Sequence, residues 1–422
     1  MPRASVMFFV AALAIAAHAQ NYGSSEHWVA AWTTAVHAPL AFPGTPPTPT
    51  LQNQTARMVV RPTIGGSRIR IVLSNAYGAS ALTIGAAHVA LVKQGGVILA
   101  ESDHPLTFSG KASVTIPPGA PILSDPVDLR VAPFQEVAVS IYLPGAAAAS
   151  TVHERAQHET YISSPGDFTA KDQFPNAAIE KSWYWLAELD VWASDRTAAI
   201  VAFGDSITDG AGADLGEYGD WPDLLARRLA DAHHSPQLAV DNEGLGGNRL
   251  LNDGAGVNAL ARFDRDVLSL PGVTDLIVLE GINDIGWPHW NPAQEHSGHP
   301  FTDSPYAAQT VTAQQLIQGL EQIIERAHQH GIRVFGATLT PFDGAGFYTT
   351  EGESVRQQVN HWIRASGAFD GVIDFEAAVR NPSHPSRFRE DFQWGDYLHP
   401  DSAGYKAMAA AIDLSLFRDS GH

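Results

Sequence analysis

Residues 201–213 read VAFGDSITDGAGA, and this stretch decides how the C-terminal half of the chain is interpreted. A strand-like apolar run ends at Phe203, and Gly204, Asp205 and Ser206 follow at once. A small polar residue in this place is often only a turn former. It can also be a nucleophile, because ligands of an open parallel sheet bind beyond the carboxyl ends of its strands. The rest of the chain must supply a base, an orienting acid and oxyanion donors before the second reading holds.

The sequence from about Thr197 alternates between strand-like and helix-like patterns. Strand-like runs lie at Ala198–Phe203, Leu238–Asp241, Leu276–Glu280, Val334–Ala337 and Val372–Asp374. Helical patterns lie between or after them, at Pro222–Ala232, Ala308–His330, Gly352–Ala365 and Ser402–Leu416. Strands that alternate with helices predict a parallel sheet covered on both faces.

The N-terminal half has a different period. Apolar residues alternate with more polar ones in SRIRIVLSN (67–75) and EVAVSIYLPG (136–145), and Gly- and Pro-rich turns separate such runs. Short alternating strands with these turns predict a β-sandwich or jelly-roll-like module. We therefore expect a β-rich domain over residues 20–195 and a catalytic domain over residues 196–422, with a strand near 183–195 packed between them.

Polar or glycine-rich clusters follow the predicted strands at one edge of the sheet. They are Ser206, NEGLGGN (242–248), GIND (281–284) and DYLHP (396–400), the last of which precedes the final helix. In this order they resemble the SGNH branch of the GDSL hydrolase superfamily, over roughly residues 197–417. WVAAWTTA (28–35) and the β-rich half further resemble a subgroup of secreted acyl esterases. The resemblance implies a flavodoxin-like three-layer sandwich with a five-stranded parallel sheet.

The resemblance also implies the roles of the site residues. Ser206 is the expected nucleophile, His399 its general base and Asp396 the acid that orients the imidazole, since a serine hydroxyl needs a base to become nucleophilic. The expected oxyanion donors are the backbone N–H groups of Ser206 and Gly247 and the side-chain amide of Asn283. Each motif alone has a plainer reading, as a capped turn before a helix or a strand-to-helix turn.

The neighbouring carboxylates and the pattern around the serine add two expectations. Asp205 and Asp284 are expected to be scaffold residues that accept hydrogen bonds from loop N–H groups. Position 208 is Thr, so the serine does not lie in the Gly-x-Ser-x-Gly elbow, which argues against an α/β-hydrolase fold and leaves the triad chemistry intact.

The segment 285–306 is long and aromatic. Trp287 and Trp290 are candidate substrate-binding residues in a loop that lines the cleft, and the alternative is a surface flap with incidental aromatic residues. The same segment carries His289, His296 and His299, whose spacing fits no standard metal site. We predict no metal and no cofactor.

The composition and charge of the chain limit the classes of protein and partner that are possible. The 422 residues carry 26 basic and 45 acidic side chains, a net charge of −19, which argues against nucleic acid and anionic membrane surfaces as partners. Residues 1–19 have the basic start, short apolar core and small cleavage-site residues of a signal peptide, so we expect a secreted or periplasmic protein without stable membrane association. There is no cysteine, so disulfides and thiol nucleophiles are excluded.

These observations predict a secreted serine esterase that removes short acyl groups, most simply acetyl, from carbohydrate. The alternatives are a lysophospholipase or broad-specificity acylhydrolase, and a carbohydrate-binding protein with a degenerate catalytic half. Oligomeric state is left open.

Overall fold

The structure, a computed structural model, describes residues 26–40, 47–233, 237–290 and 304–417. The predicted signal peptide, residues 1–19, lies outside the described residues. In the described part of the chain, no helix is both long enough and apolar enough to cross a bilayer.

The described N-terminal half is built almost wholly of strands. They are β1 (Glu26–Thr33), β2 (Thr50–Leu51), β3 (Gln54–Val60), β4 (Ile69–Ser74), β5 (Leu82–Ile84), β6 (Ala86–Gln94), β7 (Val97–Ile98), β8 (His104–Pro105), β9 (Val114–Ile116), β10 (Pro121–Leu123), β11 (Val137–Leu143), β12 (Ala147–Ala148), β13 (Val152–His153), β14 (Thr160–Ile162), β15 (Ala178–Glu180), β16 (Trp183–Tyr184) and β17 (Leu186–Ser194).

Two antiparallel sheets form a sandwich in this half. One has the order β1-β17-β4-β10, and the other has the order β15-β14-β3-β11-β6-β7 with β8 also paired to β6. Alternate residues of both sheets, such as Ile71 and Val139, are fully buried and belong to one apolar core. Two sheets that share a core through their inner faces are a β-sandwich. The prediction of a β-sandwich is confirmed.

The C-terminal half alternates strands and helices. Its described strands are β18 (Ala198–Gly204), β19 (Leu238–Gly244), β20 (Val273–Leu279), β21 (Arg333–Ala337), β22 (Gly371–Ile373), β23 (Arg380–Asn381) and β24 (His384–Phe388). Its described α-helices are α1 (Ser206–Asp209), α2 (Trp221–Asp231), α3 (Ala259–Phe263), α4 (Ile282–Gly286), α5 (Ala313–Gln329), α6 (Thr350–Ala365), α7 (Phe375–Val379) and α8 (Ser402–Ala411).

A five-stranded parallel sheet with the order β19-β18-β20-β21-β22 forms the centre of this half. Strand β18 is almost completely buried, as expected when helices cover both faces of a parallel sheet. Helices α2, α7 and α8 contact one another, and α3, α4, α5 and α6 form a second contacting set. The strand order is that of flavodoxin-like folds. The predicted three-layer α/β sandwich is confirmed.

The two halves share an extended polar and apolar interface. Strand β1 lies against β19, and the Ala30 N–H donates to the Pro271 carbonyl at 2.9 Å. Arg61 of the sandwich forms a buried ion pair with Asp223 of α2. His153 Nε2 of the sandwich lies 2.9 Å from Asp209 Oδ1 of α1, so the sandwich also contacts the carboxyl edge of the parallel sheet and can contribute residues to a site there.

Candidate active site

Ser206 is the first residue of the one-turn helix α1, directly after β18. The Asp205 side chain caps this helix, because its Oδ1 accepts a hydrogen bond from the Ile207 N–H at 2.9 Å. The cap is the scaffold role expected for Asp205. Ser206 thus stands at the carboxyl end of the first strand of the sheet, with its backbone N–H at a helix N-terminus.

His399 approaches Ser206 from the segment before α8. The Asp396 carboxylate organises this segment, since its Oδ1 accepts hydrogen bonds from the Leu398 and His399 N–H groups, each at 2.9 Å. Its other oxygen, Oδ2, accepts from His399 Nδ1 at 2.5 Å. Burial alone would raise the pKa of Asp396, but these hydrogen bonds and the charge of His399 lower it below its ordinary value.

Ser206, His399 and Asp396 form one hydrogen-bonded chain. Ser206 Oγ lies 2.8 Å from His399 Nε2. Because the ionised carboxylate can only accept, Nδ1 carries the imidazole proton and Nε2 is left with a lone pair that faces the serine hydroxyl. This is the tautomer that can take the Ser206 proton. The three residues that the resemblance implied are brought together as a nucleophile, a base and an orienting acid require.

Gly247 and Asn283 follow β19 and β20, the two strands that flank β18 in the sheet. Gly247 has φ +76°, and a Cβ there would lie 3.0 Å from the Trp287 ring, so the position calls for glycine on both grounds. Asn283 is the second residue of α4 and is 4% exposed. Its Nδ2 donates to the Asn248 carbonyl at 2.9 Å and lies 3.4 Å from Asp205 Oδ2. One amide N–H is therefore firmly bonded, and the other is only weakly held.

A buried arginine supports the loop beneath Asn283. Arg262, 1% exposed, donates through Nε to Asn248 Oδ1 at 2.8 Å and through its two terminal nitrogens to the carbonyls of Glu243 and Gly204, each at 2.9 Å. It thus ties together the ends of β18 and β19 and the residue that holds the Asn283 amide. Such a hub fixes loop positions because each partner is a buried acceptor that needs a donor.

Asp284 fastens the Asn283 loop to the Asn248 loop. Its carboxylate accepts from the Leu250 N–H at 2.6 Å and the Leu251 N–H at 3.0 Å, which confirms the predicted scaffold role. Burial raises the pKa of Asp284 to about 6 and that of Asp205 to about 7. Asp205 bonds an N–H group of α1 and Asp284 bonds two loop N–H groups, and neither touches the Ser206 hydroxyl in the described contacts.

Residues 202–407 match the model of the GDSL-like lipase/acylhydrolase family, and the match spans Ser206, Gly247, Asn283, Asp396 and His399. Residues 202–407 form a domain of the SGNH/GDSL hydrolase superfamily. The chain is a carboxylic ester hydrolase. No curated protein sequence matches the chain.

Solved structures similar to this hydrolase cover about half of the chain. An acetylxylan esterase from Geobacillus stearothermophilus is 19% identical, with 51% of this chain and 91% of that chain covered and a TM-score of 0.38. A member of the lipolytic G-D-S-L family from Veillonella parvula is 20% identical, with 51% and 95% covered and a TM-score of 0.34. A further acetyl xylan esterase is 19% identical, with 50% and 96% covered and a TM-score of 0.35.

The tryptophans proposed from the sequence as substrate contacts of the hydrolase differ in exposure. Trp287 is 3% exposed, and its indole N–H donates to Asn283 Oδ1 at 3.2 Å. Trp290 is half-buried and stacks on Tyr306, with ring centroids 6.5 Å apart. Trp287 therefore has a position from which it orients the Asn283 amide, and its ring offers little surface to a ligand.

Part of the aromatic loop lies outside the described residues. Residues 291–303, with His296 and His299, are not among the described residues, so the alternative of a cleft-lining loop or a surface flap stays a prediction. His289 ends the 3₁₀ turn that begins at Trp287. Within the described residues, no group of three or more His, Cys, Asp or Glu side chains is arranged to hold a metal ion.

An exposed aromatic residue that the sequence analysis did not single out lies beside the base. Trp394 is 62% exposed, and its ring centroid lies 6.3 Å from that of His399. The backbone N–H of Trp394 donates to the His399 carbonyl at 2.9 Å. Its position two residues before Asp396 was a usable signal, because an aromatic residue so near a triad residue must lie near the site.

Proposed function

We propose that the chain hydrolyses carboxylic esters through a Ser206–His399–Asp396 triad, and that its substrates are short acyl esters of carbohydrate. The observation that carries the catalytic part is the continuous hydrogen-bonded chain from Asp396 Oδ2 to His399 Nδ1 and from His399 Nε2 to Ser206 Oγ, at 2.5 and 2.8 Å. Each link has the geometry that general-base activation of a serine requires.

The proposed reaction has two halves. Ser206 Oγ attacks the acyl carbon while its proton passes to His399 Nε2, and the tetrahedral oxyanion collapses with transfer of that proton to the leaving alcohol oxygen. Water then attacks the acyl-enzyme, gives a proton to His399, and releases the carboxylic acid as the serine regains its proton. Asp396 remains ionised throughout and stabilises the imidazolium.

We assign the oxyanion donors to the N–H groups of Ser206 and Gly247 and to Asn283 Nδ2. The second Nδ2 proton of Asn283, whose acceptor Asp205 Oδ2 lies 3.4 Å from Nδ2, is the one available to an oxyanion. The bond from Nδ2 to the Asn248 carbonyl and the bond from Trp287 to Oδ1 fix the plane of the amide. Donors aimed at the developing charge act in the transition state rather than on the bound ester.

The Asn283→Ala variant should lose about 10²–10³ in kcat, or roughly 3–4 kcal/mol of transition-state stabilisation, with KM little changed. Steady-state kinetics on p-nitrophenyl acetate measure both constants. Asn360→Ala, which removes a buried amide that bonds Leu339 outside the site, is the control for general loss of packing. An effect on KM alone would assign Asn283 to ester binding.

The carbohydrate part of the proposal depends on Trp394. A tryptophan that exposes 62% of its surface beside the base offers a flat apolar face, and such faces pack against the C–H face of a sugar ring. The net charge of −19 disfavours docking on anionic lipid surfaces and has no such effect on a neutral polymer. We also propose that residues 1–19 direct export and that residues 20–195 and 196–422 are separate domains.

The experiment that tests the substrate class is a chain-length series of esters from acetyl to palmitoyl beside acetylated xylan. Preference for acetyl esters, with acetate released from the glycan, supports the proposal. Preference for acyl chains of about ten carbons or more, without acetate release, would instead identify a lysophospholipase or broad acylhydrolase. Absence of turnover on every ester, with retained glycan binding, would identify a binding protein.

The Trp394→Ala variant should raise KM for acetylated xylo-oligosaccharides by about 2- to 10-fold. This range corresponds to the roughly 0.5–1.5 kcal/mol that an aromatic contact contributes. Its constants for p-nitrophenyl acetate should stay close to those of the wild type, because that ester has no sugar to stack. Ile179→Ala is a matched control, since Ile179 is 55% exposed on β15 of the sandwich. Equal losses on both substrates would place Trp394 in the support of His399.

A further inference from the structure

His153 of the sandwich reaches the helix that carries Ser206. It ends β13, it is 3% exposed, and its Nε2 bonds to Asp209 Oδ1 at 2.9 Å. Asp209 is the last residue of α1, one turn after Ser206. On its other side the imidazole is anchored within the sandwich, because Nδ1 bonds to the Ala35 carbonyl at 2.9 Å.

The partners of His153 determine its protonation. The Ala35 carbonyl can only accept a hydrogen bond, and the same holds for an ionised Asp209 carboxylate. Both ring nitrogens must therefore donate, which makes the ring an imidazolium. Burial alone would lower the pKa of His153, but Asp209 and the Ala35 carbonyl raise it above its ordinary value. The result is a buried ion pair between the two halves of the chain.

The neighbouring His37 shows the contrasting arrangement. Its ring centroid lies 6.1 Å from that of His153, but its Nε2 accepts a hydrogen bond from the Glu154 N–H at 3.1 Å while Nδ1 faces the Ala38 carbonyl at 2.7 Å. One nitrogen therefore has no proton, and burial lowers the pKa of His37 to about 3. Of the two buried rings, the cationic one is the one placed against α1.

Asp209 ends the nucleophile helix α1 and lies against the end of β19 and the loop of Gly247. Its N–H donates to the Asp205 carbonyl at 2.9 Å, and its N atom would lie 2.1 Å from a Cβ at Gly244, so α1 and the end of β19 are in close backbone contact. A Cβ at Gly246 would lie 3.6 Å from Asp209 Oδ2. A single helical turn has little stability of its own, so tertiary contacts must fix its position.

We propose that His153 is a positioning residue for catalysis, supplied by the sandwich, which holds Asp209 and thereby sets the place of Ser206 and of the adjacent oxyanion loop. The inference depends on the proposed role of Ser206 as nucleophile. The imidazolium also neutralises the Asp209 carboxylate, which would otherwise place a buried negative charge near the point where the oxyanion forms and oppose it. The sandwich is then a part of the catalytic unit.

The test compares H153Q, D209N and the H153Q/D209N double variant in the full chain. H153Q keeps a donor near Asp209 and removes the charge, so kcat for p-nitrophenyl acetate and the rate of phosphonate labelling of Ser206 should fall about 10- to 100-fold with KM within about twofold of wild type. The double variant should be more active than H153Q, because it no longer buries an unpaired carboxylate. If H153Q folds poorly, D209N alone tests the ion pair, because it changes the partner of His153 that lies on the helix of Ser206.

H158Q is the matched control. His158 lies in the same interface, where its ring stacks on Tyr218 with centroids 3.9 Å apart, and it should change kcat less than about twofold. A lower melting temperature with unchanged kcat in H153Q, or losses in the single variants that multiply in the double variant, would overturn the inference. Absence of Ser206 labelling in the wild-type chain would instead overturn the proposed function itself.

Discussion

The Ser206→Ala variant should lose on the order of 10⁶ in kcat for any ester the enzyme turns over, as serine nucleophiles of other triads do. The methyl group cannot form the acyl-enzyme, and the proton that His399 Nε2 accepts at 2.8 Å is gone with the hydroxyl. Covalent labelling by an organophosphonate should disappear as well, and mass spectrometry of the wild-type adduct should place the label on Ser206.

The same substitution should leave the fold intact. The helix cap that precedes Ser206 uses the Asp205 side chain and the backbone of Ile207, so loss of the serine hydroxyl removes none of it. Circular dichroism and the melting temperature should match those of Ser354→Ala, a substitution of an exposed serine on α6. Turnover within about tenfold of wild type would show that another residue is the nucleophile, since the residual rate of a damaged triad is far lower.

The parallel sheet was predictable because its strands are short, continuously apolar runs. The run Ala198–Phe203 became β18 with one added residue, and Leu238–Asp241 became the first part of β19. Burial on both faces leaves few polar positions in such runs, which distinguishes them from the alternating strands of the sandwich. In both halves, the fold class could thus be predicted from the hydrophobic periodicity.

Helix ends were less well predicted. The helix expected over Ala308–His330 begins only at Ala313, because Thr312 and Gln315 form a capping box that starts it there. The helix expected over Ser402–Leu416 ends at Ala411, after which Ile412 is extended. The capping box could have been read from the sequence as Thr-x-x-Gln.

The site could be predicted only where its residues lie in recognisable blocks. Ser206, Asp396 and His399 have fixed spacing or follow a strand, and the structure places them in hydrogen-bond contact, while their catalytic roles stay predictions. His153 has no such signal, because its partner lies 56 residues further along the chain in a different half. The buried position of Trp287 was equally hidden, since exposure depends on how separate loops pack.

The His399→Ala variant should lose on the order of 10⁶ in kcat, more than Asp396→Asn, for which about 10²–10⁴ is expected. Without the imidazole nothing takes the Ser206 proton. In Asp396→Asn the oxygen that binds the Leu398 and His399 N–H groups can be retained, so the segment keeps its shape and the loss comes from the tautomer and the unstabilised imidazolium. The Asp396 side chain is 37% exposed, so water can partly replace the lost charge.

The order of the two variants is measured by kcat on p-nitrophenyl acetate, with His384→Ala, an exposed histidine on β24, as the control for loss of an imidazole elsewhere. Activity of the wild type should also fall on acidification, because an imidazole with both protons cannot accept the one from Ser206. Asp396, whose pKa is lowered by its bonds to His399, stays ionised as that happens, so the acid limb reports on the base. A larger loss of kcat in Asp396→Asn than in His399→Ala would mean that the carboxylate itself takes the Ser206 proton and that the imidazole only holds the carboxylate in position.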